Sequence, residues 1–173
     1  MKFVGVCQYD GSSFSGFQSQ PNASSVQDAL EKAIISVGQV TERMNYSGRT
    51  DAGVHALGQV FDFKSTDSRT IDQWLKGINS ALPDSIAVIS LQEISEDFHS
   101  RFDAIKRKYA YIIYTGKTRP IFLKDYVFWE KNKLDINVMK AEAAHMIGQH
   151  NFSAFRGSKC TANNPTRTIE YIE

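Results

Sequence analysis

Strand-like and helical hydrophobic patterns alternate along the N-terminal part of the chain. Short runs of β-branched and aromatic residues, bounded by turn residues, predict strands at residues 2–9, 43–47, 56–64 and 86–94. Apolar residues at helical spacing predict a first helix through Val26, Ala29, Leu30, Ala33, Ile34 and Val37. A second helical set comprises Ile71, Trp74, Leu75, Ile78 and Leu82. Each helix therefore lies between two predicted strands.

The order of these elements is strand, helix, strand, strand, helix, strand. This is the order of the split βαβ, ferredoxin-like fold, which the RNA recognition motif (RRM) shares. We therefore expect an α+β domain over residues 1–103, with an antiparallel sheet, helices on one face and the other face open to a ligand. At the first helix, Ser24 with Gln27 predicts a capping box, and Gly38 predicts the helix end.

A new pattern begins after residue 103 and predicts a second α+β domain over residues 104–173. Two strand-like runs and a helical pattern follow one another at residues 108–115, 126–130 and 137–147. The chain ends within RTIEYIE, where Ile169 and Ile172 are strand-like. We therefore expect this second domain to be truncated.

Composition restricts the class of protein. The 173 residues are 42% hydrophobic, enough to bury a sizeable core in one or two small domains. No run approaches the roughly 20 apolar residues of a membrane span. The N-terminal residues also lack the apolar core of a signal peptide. We therefore expect a cytoplasmic globular protein without a membrane partner.

The cysteines and the glycine-rich segments indicate no cofactor. Cys7 and Cys160 are too few and too far apart for a disulfide framework or paired metal ligands, so reduced thiols are expected. The sequence contains no phosphate loop of the Walker or dinucleotide type, and no serine is framed as a nucleophile elbow. We therefore expect chemistry that needs only the side chains of the protein.

Basic residues are concentrated in one segment, although the net charge is only +1 from 20 basic and 19 acidic residues. Residues 104–124 contain six basic residues and no acid: Lys106, Arg107, Lys108, Lys117, Arg119 and Lys124. Aromatic residues are interleaved with them, namely Tyr109, Tyr111, Tyr114 and Phe122. Cations for phosphates beside flat rings for bases indicate a single-stranded or loop RNA partner. The alternative is a solvated strand face whose aromatic residues belong to a core.

The segment SGRTDAGVHALGQV, residues 47–60, contains the strongest candidate for catalysis. Gly48 and Gly53 flank Asp51, so the backbone can bend sharply and direct the carboxylate out of the sheet. The neighbouring charge of Arg49 favours the ionised form, which is the nucleophilic one. The alternative is a turn aspartate that hydrogen-bonds its own backbone.

Histidines raise the separate possibility of a metal-dependent hydrolase. Asp51 and His55 are four residues apart, and His99 could complete a site with them. This spacing suits metal ligands only on a helix, which the glycines disfavour. His145 and His150 bracket a predicted helix end, where a capping or core role is expected. We therefore expect no metal.

Several long motifs in order make the sequence similar to one known family. The motifs are YDGSSFSGFQSQ (9–20), VQDALEKAI (26–34), GRTDAGVHALGQV (48–60), FHSRFDAIKRKYAYIIY (98–114), GQHNFSAF (148–155) and RTI (167–169). With them, essentially the whole chain resembles the TruA-type tRNA pseudouridine synthases. Two positions depart from that family's usual residues: Phe17 replaces a tryptophan, and Asn151 replaces an aspartate.

The resemblance implies an enzyme that isomerises uridine to pseudouridine in the anticodon stem-loop of tRNA, at positions 38–40. The base would be detached from C1′, rotated and reattached through C5, without cofactor or metal. The resemblance makes Asp51 the nucleophile and Arg49 its partner, and it places Tyr109 against the target base. It also implies a homodimer, and we expect the chain as given, lacking part of the second domain, to be inactive.

RNA contacts complete the set of expected functional residues. Lys106, Arg107 and Lys108 are expected to contact phosphates, and Gln18 and Gln20 to contact RNA from the first loop. The competing hypothesis of a different class is a non-catalytic, RRM-like RNA-binding module. Such a module would require exposed aromatic residues on the sheet.

Overall fold

The computed structural model describes residues 1–157 and 164–173. It divides into two compact units, Met1–Tyr111 and Ile112–Glu173. The division falls after Tyr111, whereas the sequence pattern places the boundary near residue 104. Cys160, expected as a reduced thiol, lies outside the described residues.

The first unit contains a four-stranded antiparallel sheet in the order β2-β3-β1-β4. The strands are β1 (Lys2–Tyr9), β2 (Asn45–Tyr46), β3 (Ala56–Lys64) and β4 (Ile86–Ile94). This order confirms the ferredoxin-like prediction, and three strands have the predicted bounds. The prediction of β2 over residues 43–47 was too long, because this edge strand pairs with β3 through only two residues.

Helices α1 (Val26–Val37) and α2 (Ile71–Ala81) connect the strands as predicted. Their buried side chains join those of the sheet in one core, in which Trp74 lies against Phe3 and Phe63 with ring centroids 5.8 and 5.3 Å away. Aromatic contacts between a helix and both central strands fix the helical layer on this face of the sheet.

The cap of α1 differs from the prediction by one residue. Ser25, not Ser24, is the N-cap, and its hydroxyl accepts a hydrogen bond from the Asp28 N–H at 3.0 Å. Gln27 therefore does not complete a capping box with Ser24; its side chain accepts a bond from the backbone of the preceding loop instead. Gly38 ends the helix as predicted.

The sheet face away from the helices is partly covered rather than fully open. The Ser100 N–H donates to the Asp62 carboxylate at 2.8 Å, which holds the segment after β4 over this face. Asp62 is fully buried, and Asn45 and Lys2 also contact it, at 3.0 and 3.4 Å. Burial raises the pKa of Asp62, but hydrogen bonds from Ser100 and Asn45 outweigh it, so the pKa lies below its usual value.

The described residues of the second unit form two short strand pairs, one α-helix and two short 3-10 helices, Ile121–Leu123 and Ser153–Phe155. The strands are β5 (Ile113–Tyr114), parallel to β6 (Phe128–Trp129), and β7 (Gly148–Asn151), antiparallel to β8 (Thr166–Ile169). Helix α3 spans Ile136–Ala144.

Three predicted elements of the second unit were too long. The strands expected at residues 108–115 and 126–130 are reduced to β5 and β6, because only two residue pairs form a ladder between them. The helix expected to reach residue 147 ends at Ala144, before the positive-φ Gly148 that opens β7. Ile172 lies outside β8.

Within the described ranges, the structure contains no helix long and apolar enough to cross a lipid bilayer.

Candidate active site

The candidate catalytic residues lie in the loop of residues 47–55, which connects β2 to β3. The loop begins where the Ser47 N–H donates to the Val60 carbonyl at 2.9 Å. It closes with a turn in which the Val54 N–H donates to the Asp51 carbonyl at 3.2 Å. Gly53 has a φ of +77°, so the predicted glycine bend is present on this side of Asp51.

The middle of the loop turns one polar side chain inward and two charged ones outward. Thr50 is half-buried, and its hydroxyl lies 2.7 Å from the Tyr9 hydroxyl at the end of β1. The Thr50 carbonyl accepts a bond from the Phe17 N–H at 3.0 Å. Arg49 and Asp51, on either side, are exposed. Thr50 therefore attaches the loop to the core and leaves both charged groups accessible.

The expected ion pair between Arg49 and Asp51 is absent. In the part of the chain that the structure describes, their charged groups do not approach within 4.0 Å. Their proximity along the chain does not produce a contact, and Thr50 between them directs its own side chain inward to Tyr9. The arginine is therefore left available to another anion, such as a phosphate.

Gln59 holds the first residues of the loop. It is buried on β3, where its side-chain N–H donates to the Gly48 carbonyl at 2.5 Å. Its side-chain oxygen accepts a bond from the Ser47 hydroxyl at 2.6 Å. Both polar ends of this amide are thus satisfied by the loop, which favours a single loop conformation.

Two glycines allow the loop between β1 and α1, called the first loop, to lie directly against residues 47–55. A Cβ added at Gly16, which has a φ of +101°, would lie 2.9 Å from the Thr50 carbonyl oxygen. A Cβ added at Gly11 would lie 2.0 Å from the Val54 carbonyl oxygen. The Gly53 N–H also donates to the Phe14 carbonyl at 3.4 Å. Backbone packs on backbone here, which supports the loop that carries Asp51.

The histidines of the metal hypothesis serve separate contacts. His55 Nδ1 lies 3.2 Å from both the Gly11 N–H nitrogen and the Asp10 carboxylate. His99 accepts a bond from the Arg101 N–H and lies against the Phe102 ring, with centroids 4.3 Å apart. Among the described residues there is no group of three side chains that could hold a metal ion. The metal-dependent hydrolase therefore finds no support in this geometry.

Arg107 joins the basic segment to the loop. Its guanidinium donates to the Ser47 carbonyl through Nε, at 3.2 Å, and also through Nη2. A Cβ added at Gly48 would lie 3.1 Å from Arg107 Nε. Gly48 has no positive φ, so its small size serves this close approach and not the bend that the sequence suggested. The contact brings two distant motifs together.

The other expected RNA contacts of the basic segment lie on exposed chain close to Arg107. Tyr109 is 76% exposed. It follows Arg107 by two positions, so the Cα atoms of these two residues are at most about 7 Å apart. Lys106 and Lys108 are exposed as well. Tyr109, Lys106 and Lys108 therefore lie near the start of the loop that carries Asp51.

The first loop contributes less accessible groups. Phe17 is fully buried between the rings of Tyr9 and Tyr46, with centroids 5.8 and 4.6 Å away. Its ring therefore anchors the first loop to the core. Gln20 is exposed, but its side-chain N–H donates to the Ser15 carbonyl at 3.0 Å. Gln18 is half-buried. Of the two expected glutamines, Gln20 has the more exposed side chain.

The rest of the basic segment belongs to the second unit, where it makes local contacts. Arg119 lies over the Trp129 ring at 5.7 Å, and Lys124 pairs with Asp125 at 3.9 Å. Asn151, which replaces an aspartate, accepts bonds from the N–H and hydroxyl of Ser153 at 2.9 and 2.6 Å. The side-chain oxygen of an asparagine can accept both of these bonds, so the turn does not require an aspartate at this position.

The RRM-like alternative lacks its aromatic platform. The aromatic residues of the two central strands all face the helices and are buried: Phe3, Tyr9, Phe61 and Phe63. The opposite face of these strands carries Lys2, Val4, Val6, Gln8, Val60, Asp62 and Lys64. No ring on this face can stack on a base, as an RRM requires.

Tyr9, Thr50 and Gln59 are the structural residues that the sequence did not indicate as part of the site. Tyr9 fits a strand pattern, and its inward contact with Thr50 spans 41 residues along the chain. Burial raises the pKa of the Tyr9 phenol, so it remains a neutral hydrogen-bonding group. Cys7 on the same strand is buried, which raises its pKa to about 12 and leaves an unreactive thiol.

Comparison with known proteins gives one consistent result. A family model described as tRNA pseudouridine synthase matches residues 6–103. The tRNA pseudouridine synthase A of Paraburkholderia xenovorans (strain LB400) is 42% identical over 166 residues, covering 96% of this chain and 62% of that protein. The tRNA pseudouridine synthase A of Chromobacterium violaceum is 39% identical over 167 residues, covering 96% and 64%. The chain thus spans slightly less than two thirds of these relatives.

Proposed function

Because the chain belongs to the tRNA pseudouridine synthase family, we propose that the protein converts uridine to pseudouridine in tRNA, in the anticodon stem-loop at positions 38–40. The observation that carries this proposal is the loop of residues 47–55. It presents the exposed carboxylate of Asp51 from a backbone held at both ends by hydrogen bonds. Enzymes need this combination of an accessible nucleophile and a fixed backbone.

In the proposed reaction, Asp51 is the nucleophile that permits the bond between uridine C1′ and N1 to break. The carboxylate adds either to the sugar or to the base. The detached uracil then rotates, C5 bonds to C1′, and the hydrogen on C5 leaves as a proton while N1 takes up a proton. The bond to Asp51 breaks within the same cycle, which regenerates the carboxylate. Product and substrate are isomers, so the reaction consumes no co-substrate and transfers no electrons.

The target uridine lies within a stem-loop and must leave the stack before Asp51 can reach it. Arg49 is exposed beside Asp51 and unpaired with it, so its guanidinium can bind the displaced nucleotide. The exposed ring of Tyr109 can replace the lost stacking on the target base. These two residues complete the proposed catalytic set.

Lys106, Arg107 and Lys108 would bind the phosphates that flank the target. Arg107 already directs two of its N–H groups to the Ser47 carbonyl, which leaves its other N–H donors for phosphate. RNA binding would thus be coupled directly to the loop of Asp51. Gln18 and Gln20 would add contacts from the first loop, with Gln20 changing its partner from the Ser15 carbonyl to RNA.

The direct test is release of label from tRNA that carries tritium at uridine C5, because bond formation at C5 expels that hydrogen. In this and every later assay the chain is extended to the length of its relatives, and we expect this enzyme to release label from a tRNA with uridine at positions 38–40. We expect none when these uridines are replaced by cytidine. Release from the replaced tRNA would contradict the proposed target, and no release from either would contradict the activity.

We also infer that the protein acts as a homodimer and in the cytoplasm, where tRNA is modified. The dimer is what the resemblance of the sequence motifs implies. Light scattering coupled to gel filtration would test it. A mass corresponding to one chain throughout the concentration range used in the activity assay would contradict the dimer.

A further inference from the structure

We propose that Tyr9 is a positioning residue for the reaction, because its hydroxyl holds Thr50 and thereby directs the neighbouring Asp51 and Arg49 outward. This inference rests on the function proposed above. The Tyr9 hydroxyl lies 2.7 Å from the Thr50 hydroxyl, and Thr50 is the residue between the two charged groups.

Tyr9 is itself held rigidly. It is the last residue of β1, is only 4% exposed, and pairs with Ala56 on β3 and Ile86 on β4. Its ring lies against Phe17, with centroids 5.8 Å apart. Strand pairing on both sides and ring contact leave the phenol little freedom, so its hydroxyl is a fixed point for the loop.

Thr50 is attached to the core at two points. Its hydroxyl contacts Tyr9, and its carbonyl accepts the bond from the Phe17 N–H at 3.0 Å. The side chain of Gln59 attaches the loop earlier, at Gly48. Among these contacts, the contact between Tyr9 and Thr50 involves the side chain of the residue that lies between Arg49 and Asp51 in the sequence. It is therefore best placed to set the direction of both.

The consequence concerns catalysis more than folding or binding. If the Tyr9 hydroxyl is removed, the strand pairing, the ring contacts and the bonds of Gln59 to Ser47 and Gly48 remain, so the domain should stay folded. The central residues of the loop would gain freedom, and the carboxylate would less often have the geometry for attack. Small errors in the position of a reacting group reduce turnover strongly, whereas phosphate contacts are insensitive to them.

The experiment compares Tyr9→Phe, Thr50→Val and the double variant by C5 label release, tRNA binding and thermal unfolding. We expect kcat to fall about tenfold in each single variant, with KM and tRNA affinity within about twofold. We expect the double variant to be no worse than either single variant, because both remove the same contact. Thr50→Ser, which keeps the hydroxyl, should restore most of the kcat lost in Thr50→Val.

Tyr46→Phe is the matched control. Tyr46 belongs to the same aromatic group, with its ring 4.6 Å from Phe17, but no hydrogen bond joins its hydroxyl to the loop within the described residues. Its kcat should match that of the wild type. A Tyr9→Phe variant with the same kcat as Tyr46→Phe would overturn the positioning role.

Two further outcomes would also overturn it. If the fold-decrease in kcat of the double variant equalled the product of the two single fold-decreases, Tyr9 and Thr50 would act independently. A fall in kcat accompanied by an equal fall in tRNA affinity would indicate general damage to the domain. Failure of the proposed function is distinguishable from these results, because the wild type itself would then release no label.

Discussion

The loop of residues 47–55 and the segment of residues 104–111 meet at Arg107, yet the two regions are held in opposite ways. The loop is attached to buried side chains of the sheet, through Thr50 on Tyr9 and Gly48 on Gln59. The segment has no regular secondary structure, and most of its side chains are exposed. The residue proposed for chemistry therefore sits on a backbone fixed by the core, and those proposed for RNA binding sit on chain that an RNA could rearrange.

The difference agrees with what the two tasks require. A nucleophile must meet one atom within a fraction of an ångström, and that geometry has to exist before substrate arrives. Phosphate contacts tolerate side-chain motion, since the attraction between charges is not sharply directional and Lys side chains are flexible. Substitutions in the loop should therefore change kcat. Substitutions in the segment should change affinity and its dependence on salt.

Asp51→Asn is expected to have the largest effect, and it should lower turnover without lowering the affinity for tRNA. We expect Asp51→Asn to lower C5 label release at least about a hundredfold, because the amide is not a nucleophile. The affinity for tRNA should stay within about threefold, since the phosphate contacts of the segment are unchanged. Label release and filter binding on the same preparation measure both. Turnover above one hundredth of the wild-type value would remove Asp51 from the nucleophile role.

Gly16→Ala tests whether the loop must be held from outside. The Cβ would lie 2.9 Å from the Thr50 carbonyl oxygen, and the φ of +101° disfavours any side chain. We expect the loop to be displaced, with kcat lowered on the order of a hundredfold and stability lowered by about 1–3 kcal/mol. Gly58→Ala is the control, because its Cβ would make only an ordinary contact with Val6 at 3.8 Å. Equal activity of both variants would show that the loop tolerates displacement.

Tyr109 tests whether the segment also contributes to the chemical step. We expect Tyr109→Ala to lower kcat/KM about tenfold, since stacking on a base is worth roughly 1–3 kcal/mol. Tyr109→Phe keeps the ring and should retain most of the activity. Label release under substrate-limiting conditions measures both variants. Equal losses would assign the role to the hydroxyl instead of the ring.

The fold and the site were not equally predictable from the sequence. Strands β1, β3 and β4 have the predicted bounds, and helix α1 covers the predicted apolar set, because each element buries one continuous apolar face that dictates its own pattern. The elements of residues 108–130 are shorter than predicted, since a strand also needs a partner, and the partner is not visible in its own residues. Ser24 and Ser25 are chemically identical candidates for the cap, and only tertiary contacts choose between them.

The outward residues of the site could be identified, whereas their support could not. Asp51 and Arg49 stand out as charged groups between glycines. Tyr9 and Gln59 look like ordinary strand residues, and their contacts with the loop join positions far apart in the chain. The same limitation applies to Gly48, whose function of admitting Arg107 depends on a residue 59 positions away. Such contacts follow from the folded sheet and leave no local pattern.

The smallest expected effect concerns the exposed lysines of the segment. Lys106→Gln combined with Lys108→Gln should weaken tRNA binding while leaving kcat at saturating tRNA nearly unchanged, because the loop is held by other residues. Each lost phosphate contact removes about 0.7–0.9 from the slope of log affinity against log salt, so the double variant should lose about 1.5. Filter binding from low to moderate salt measures this slope.

The matched control for the lysine pair is Lys32→Gln with Lys76→Gln, which removes the same charge from exposed positions on α1 and α2. If RNA lies along the segment, this control should lower affinity slightly through the net charge and leave the slope nearly unchanged, because no phosphate contact is lost. An equal change of slope in both pairs would mean that the protein attracts tRNA by its overall charge. An unchanged slope in the Lys106 and Lys108 variant would place the RNA elsewhere on the protein, and the proposed division between a fixed catalytic loop and an adaptable binding segment would lose its second half.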